Sequence, residues 1–169
     1  MIDRATLDAL GRAEFVALLG GVFEHSPWVA EAAFQRRPFG SVEALHRAMC
    51  DAVAASSPEA QLALIRAHPQ LAGRAAMRGE LTEASRGEQR GAGLDQCSAE
   101  EFAQLHALND AYERRFGFPF ILAVRGHTRA TVLASMAARI DNPPEAEITE
   151  ALRQVERIAR FRLADLVTD

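Results

Sequence analysis

Four groups of residues combine types and spacings that could do chemistry. The first is LIRAHPQLAG, residues 64–73, where His68 stands directly before Pro69 at the end of an apolar helical run. Proline turns the preceding residue away from helical backbone angles, so a helix should break at His68. An imidazole titrates near neutral pH and suits general acid–base work. The same ring at a helix exit could instead donate to the last free carbonyls. Residue type alone leaves both open.

The second group is LTEASRGEQRGAGLD, residues 81–95. Ser85 precedes Glu88 by three positions, a capping-box spacing. One reading makes Glu88 the closure of a helix start and turns Gln89 to solvent. The other uses free N–H groups at that helix start, the Glu88 carboxylate and the Gln89 amide to read a planar, urea-like edge. The third is GFPFILAVRG, residues 117–126. Its continuous apolar run reads as core, yet irregular backbone there has N–H and C=O groups that could grip a heterocycle. Phe116, Phe118 and Phe120 could then floor the site. The fourth is Arg162, between Phe161 and Leu163, either a snorkelling surface arginine or a partly buried carboxylate clamp.

The elements that must position these groups read almost entirely at helical period. Two short helices occupy the first 24 residues, with Gly20–Gly21 as a break. Ser26–Pro27, Ser41 and Ser57–Pro58 each open a further helix. Ser98 with Glu101 forms a capping box for a helix that Gly117 ends, with Phe102, Leu105, Leu108, Tyr112 and Phe116 as its apolar stripe. FPFILAV, residues 118–124, resembles a strand but has no partner strand, so it reads as an extended, buried connector. Helices over 127–140 and from Asn142 onward complete an all-α, single compact domain, residues 1–169, of about seven to eight helices.

Composition narrows the function classes. The 169-residue chain is 49% hydrophobic and 25% charged with a net charge of −4, ordinary for one soluble domain. Every basic residue is arginine, scattered among acids, with no arm or stripe that would suit nucleic acid. Cys50 and Cys97 fit no metal-ligand or disulfide-scaffold spacing, and the histidines form no HExxH motif, so no metal is expected. No leader, membrane span or targeting tripeptide is read in the sequence, which makes the cytoplasm the expected location.

AHPQLAG, LTEASRGEQRGAGLD, LNDAYERRFGFPFILAVRG and ERIARFRLADL, in that order, resemble the 2-oxo-4-hydroxy-4-carboxy-5-ureidoimidazoline (OHCU) decarboxylase family. FEHSPWVAE and RPF extend the match toward the start. The resemblance implies an all-helical homodimer that decarboxylates OHCU to (S)-allantoin in urate degradation. It implies no cofactor, no metal, and a small-molecule partner rather than nucleic acid or membrane. It makes His68 the catalytic acid/base, with Glu88 and Arg162 as further catalytic groups. Pro69, Ser85, Glu88 and Gln89 become substrate-binding residues, as does the backbone of Phe118, Phe120, Ile121, Leu122 and Val124. The competing expectation is a non-enzymatic helical module that binds a ligand or partner through the same apolar connector.

Overall fold

The computed structural model describes residues 1–169. In chain order it contains β1 (Ile2–Asp3), α1 (Arg4–Ala9), α2 (Arg12–Leu19), α3 (Pro27–Phe34), α4 (Val42–Ala54) and α5 (Pro58–Ala67). There follow α6 (Arg74–Met77), α7 (Glu83–Gly91), a 3₁₀ turn at Leu94–Gln96, α8 (Ala99–Phe116), α9 (Arg129–Arg139), α10 (Pro144–Leu166) and β2 (Val167–Thr168). The fold is all-α, with ten helices where the sequence predicted seven or eight. The difference lies in α6, a single turn, and α7, a short and mostly polar helix in a stretch without a clear apolar period.

The chain divides into two compact units, residues 1–67 with 155–169, and residues 68–154. In the first, α2 packs on α3 and α3 on α4. Phe15, Phe23, Leu45, Met49, Ile65 and Leu163 are among its buried residues. The chain ends meet in a short parallel pairing, Ile2 with Val167 and Asp3 with Thr168, that no sequence pattern announced. Two residues per strand carry too little alternation to register as strands. In the second unit α7 packs on the 3₁₀ turn and α8 on α9, around Leu105, Tyr112, Phe118, Phe120, Val132 and Met136.

Most helix starts lie where their side chains require. Ser41 Oγ accepts from Ala44 N at 3.0 Å and Ser57 Oγ from Ala60 N at 3.1 Å. Ser98 and Glu101 exchange both bonds of a capping box, at 3.1 and 2.9 Å. Gly117 ends α8 at φ 76°, a left-handed angle that glycine adopts at little steric cost. One start differs from expectation, that of α7, whereas α3 begins at Pro27 as expected. Ser26 directs its hydroxyl to the Glu24 carbonyl, and α3 begins at Pro27 without a side-chain cap. In α7 the cap is Thr82, which accepts from Ser85 N, so Ser85 lies inside the helix and Glu88 in its body. The capping-box assignment of Ser85 and Glu88 is therefore corrected. Thr82→Ala is expected to cost about 1 kcal/mol and lower the melting temperature by roughly 2–4 °C, as thermal denaturation followed by circular dichroism would show.

Candidate active site

All the sequence-predicted site residues except Arg162 fall in the unit spanning 68–154. His68 follows the last residue of α5 and is buried, 7% exposed, with Pro69 half-buried behind it. The chain then turns tightly. Ala72 has a left-handed φ of 50°, and a Cβ on Gly73 would come within 2.6 Å of the Gln70 side chain. A non-glycine residue at positive φ is costly, so neighbouring structure must enforce it.

Side chains from α7 and α8 provide that enforcement. Gln89 is buried rather than facing solvent; its Oε1 accepts from Ala72 N at 2.9 Å and its Nε2 donates to Gln70 O at 3.3 Å. From α8, Asn109 Nδ2 donates to Leu71 O at 2.9 Å and His106 Nε2 to Ala72 O at 3.2 Å. Gln70 Nε2 donates to Glu113. Ser85, one turn before Gln89 on α7, is buried on the same face, and Glu88 is half-buried beside it in the helix. No cap role explains Glu88 once Thr82 holds that position.

The connector over 118–124 forms neither helix nor strand and is buried throughout, as its apolar run predicted. The rings of Phe118 and Phe120 pack edge-on against Tyr112, at 5.9 and 5.3 Å between centroids. They are core, so what the connector can present to a ligand is backbone. Part of that backbone is already engaged. Arg139 Nη1 donates to Ile121 O at 2.7 Å, and Ala123 N donates to Gln154 Oε1 at 3.0 Å. Arg139 also lies 4.4 Å from the Phe120 ring centroid, within cation–π range.

Arg139 is itself held. Its Nη2 lies 2.9 Å from Glu147 Oε2, and Glu147 is fully buried. Asn142 Nδ2 donates to the same carboxylate at 2.8 Å, as does the Tyr112 hydroxyl. Burial by itself would raise the Glu147 pKa. The donors on Arg139, Tyr112 and Asn142 outweigh that and hold it below the ordinary carboxylate value. For Tyr112, burial and the bond to Glu147 act together and push the phenol upward, so it stays a donor.

Helix α8 thus fastens both pieces. Asn109 holds the turn after His68 and Tyr112 holds the connector, three residues or about 4.5 Å of axial rise apart. Sequence reading missed Asn109, His106, Arg139, Glu147 and Gln154. The signal for Asn109 was its place on the buried face between Leu105 and Tyr112. Glu147 similarly leads the stripe that continues through Ala151, Val155 and Ile158.

Arg162 belongs to the other unit. It is buried, and its Nη1 pairs with Glu24 Oε2 at 2.7 Å while donating to Gly21 O at 3.2 Å. The surface-snorkelling alternative is thereby removed. The same unit brings Cys50 Sγ within 3.4 Å of His46 Nε2, superficially a nucleophile–base pair. However, His46 Nε2 donates to the Glu156 carbonyl at 2.8 Å, and burial with nearby acids raises the Cys50 thiol to about 12. That pair cannot supply a thiolate near neutrality.

A cavity of about 370 Å³ opens among Ala72, Met77, Leu81, Arg86, Leu94 and Phe102, without His68 or the connector in its lining. Its arginines are engaged, Arg86 by the carbonyls of Gly79 and Leu81 and Arg90 by Asp95. No three His, Cys, Asp or Glu side chains gather in a metal-binding group, and no helix is long and apolar enough to cross a membrane.

The chain is similar to proteins of known activity. The chain is 44% identical over 151 residues to the 2-oxo-4-hydroxy-4-carboxy-5-ureidoimidazoline decarboxylase of Haloferax volcanii, covering 89% of this chain and 88% of that one. It is 42% identical over 167 residues to the uric acid degradation bifunctional protein PucL of Bacillus subtilis; 97% of this chain matches, but it spans only 33% of that longer protein. A crystal structure of (S)-allantoin synthase superposes with a TM-score of 0.81 at 34% identity, over 98% of this chain and 54% of that one. The OHCU decarboxylase family model matches residues 8–164, and the chain belongs to that family.

Proposed function

We propose that this chain decarboxylates OHCU to (S)-allantoin without a cofactor, in the degradation of urate, with His68 as general acid/base. Family membership supports the reaction, and the buried, side-chain-clamped turn at His68 is the observation that supports the residue's role. A histidine that only capped a helix would need no such fixing of the residues beyond it.

The substrate contains its own electron sink. One ring carbon carries a hydroxyl and a carboxylate, and the adjacent carbon is part of a C=N bond. When the bond to the carboxylate breaks and CO2 leaves, its electron pair forms a C=C bond, and the C=N pair moves to nitrogen, which takes a proton. The resulting enol loses its hydroxyl proton and becomes the ring carbonyl, and the neighbouring carbon gains a proton. Overall one CO2 leaves and one proton is taken up. The protein must therefore orient the substrate and deliver a proton to one face of a carbon. An imidazole, which can both donate and accept a proton, suits both tasks.

Glu88 accepts from ring and ureido N–H groups or orients His68 in this reading. Pro69, Ser85 and Gln89 border the substrate, and the backbone of Phe118–Val124 reads its remaining edge. Backbone outside helix and strand suits a planar ureido group because its N–H and C=O groups offer both donors and acceptors. We further propose a homodimer, on the family resemblance, and a cytoplasmic setting, which two unpaired cysteines favour.

The test is circular dichroism of the product formed from freshly generated substrate. Fast formation of one-handed allantoin is the expected result. Product that forms no faster than in buffer and is racemic would overturn the proposal and bring forward a non-enzymatic binding module.

A further inference from the structure

We propose that Asn109 is a positioning residue for the acid/base step, acting on His68 through the Leu71 carbonyl. The inference rests on the reading of His68 as the acid/base. Asn109 is 3% exposed on the buried face of α8, between the core residues Leu105 and Tyr112. Its Nδ2 donates to Leu71 O at 2.9 Å, whereas its Oδ1 is buried with no hydrogen-bond partner. The amide cannot turn over to relieve this, since Oδ1 would then face the carbonyl oxygen. A position that served packing alone would favour leucine, which is close in size and buries no polar atom. The amide donor is what distinguishes asparagine here, and it holds the backbone three residues beyond His68.

Little freedom separates Leu71 from the imidazole. Pro69 has a fixed φ and restricts the backbone of His68. Gln70 is bound at its carbonyl by Gln89 and through its side chain by Glu113. Ala72, just after Leu71, is kept at φ 50° by bonds to Gln89 and His106. Without the Asn109 bond, the Leu71 peptide can rotate toward ordinary backbone angles, and that rotation feeds back through one residue and a proline into His68. Proton transfer depends steeply on such placement, and a displacement of about 1 Å can cost on the order of 10²-fold. Asn109 touches neither substrate nor reacting atoms in this scheme.

The experiment is a double-mutant cycle with Asn109→Leu, His68→Ala and the pair, each assayed for kcat and KM below its melting transition. Asn109→Leu is expected to lower kcat by about 10²-fold and to change KM less than threefold, because Ser85, Glu88 and the backbone of Phe118–Val124 lie on other segments and keep their places. The double variant should turn over no more slowly than His68→Ala alone, since Asn109 acts through a side chain already removed. Wild-type kcat in Asn109→Leu, or losses that multiply in the double variant, would overturn the role of Asn109. Wild-type turnover in His68→Ala would instead overturn the acid/base reading beneath it. If Asn109→Leu lacks the helical circular dichroism spectrum, Asn109→Ala, which adds no branched side chain to the core, takes its place with the same expectations.

Discussion

His68→Ala is expected to lower kcat by about 10²–10⁴-fold while leaving the helical spectrum and melting temperature near those of the wild type. Two features separate this outcome from a structural one. The backbone turn at 70–73 is secured by Gln89, His106, Asn109 and Glu113, none of which depends on the imidazole. Truncating the ring therefore removes a functional group without releasing the turn. The allantoin that still forms should also lose its handedness, because proton delivery to one face ends with the ring. Stopped-flow kinetics with circular dichroism of the product reads both effects. Full turnover by the variant would reject His68 as the acid/base, and a collapse of the melting temperature would assign it to the fold instead.

The second large effect is expected at Arg139. Arg139→Met leaves the Glu147 carboxylate in the core without its guanidinium, and breaking one side of a buried pair costs about 3–5 kcal/mol. For a domain of this size that amounts to a fall in melting temperature of roughly 10 °C. The connector should loosen as well, since the Ile121 carbonyl loses its donor, so KM is expected to rise more than kcat falls. Replacing both partners, Arg139→Met with Glu147→Leu, should recover much of the stability, because no uncompensated charge is then buried. It should leave KM raised, because the bond to Ile121 is still missing.

The pH dependence of that second effect has a definite sign. Wild-type Glu147 is held below its ordinary value of 4.5, so its ionised form stabilises the fold. That contribution is complete above pH 4.5 and is lost as the pH falls through the lower folded-state value. In Arg139→Met the carboxylate is buried without its cation, which favours the neutral acid. The stability gap between wild type and variant should thus be widest near neutrality and narrow progressively as the pH falls toward 4.5 and below it. Chemical denaturation across that range measures it, and a gap that widened in acid would contradict the assignment.

The site was partly legible in sequence for a specific reason. His68 before Pro69 is a local signal, because proline restricts its immediate neighbour whatever lies elsewhere in the chain. The caps at Ser41, Ser57 and Ser98 and the stop at Gly117 are equally local. The connector was legible for a related reason, since seven apolar residues with no partner strand have few places to go except the interior. At Thr82 the same logic picked the wrong residue. Thr82, Ser85 and Glu88 stand at equal spacings, so two capping registers were available, and local pattern could not rank them. Burial of Ser85 and Gln89 on one face of α7 decided it, because the register starting at Thr82 turns both inward.

The sequence by itself therefore determined an all-α chain, most of its helix starts, the break that isolates His68 and the buried connector, all of which follow from residues a few positions apart. Only the tertiary structure decided what holds them. Asn109 reaches Leu71 across 38 positions, Tyr112 reaches Glu147 across 35, and Gln154 reaches Ala123 across 31. Nor could sequence show that Arg162 is paired with Glu24, 138 positions away. Polar side chains at such separations carry no periodic signature. Their partners are set by which helix faces meet when the core closes, and a buried amide or carboxylate is tolerable only where that closure supplies a partner.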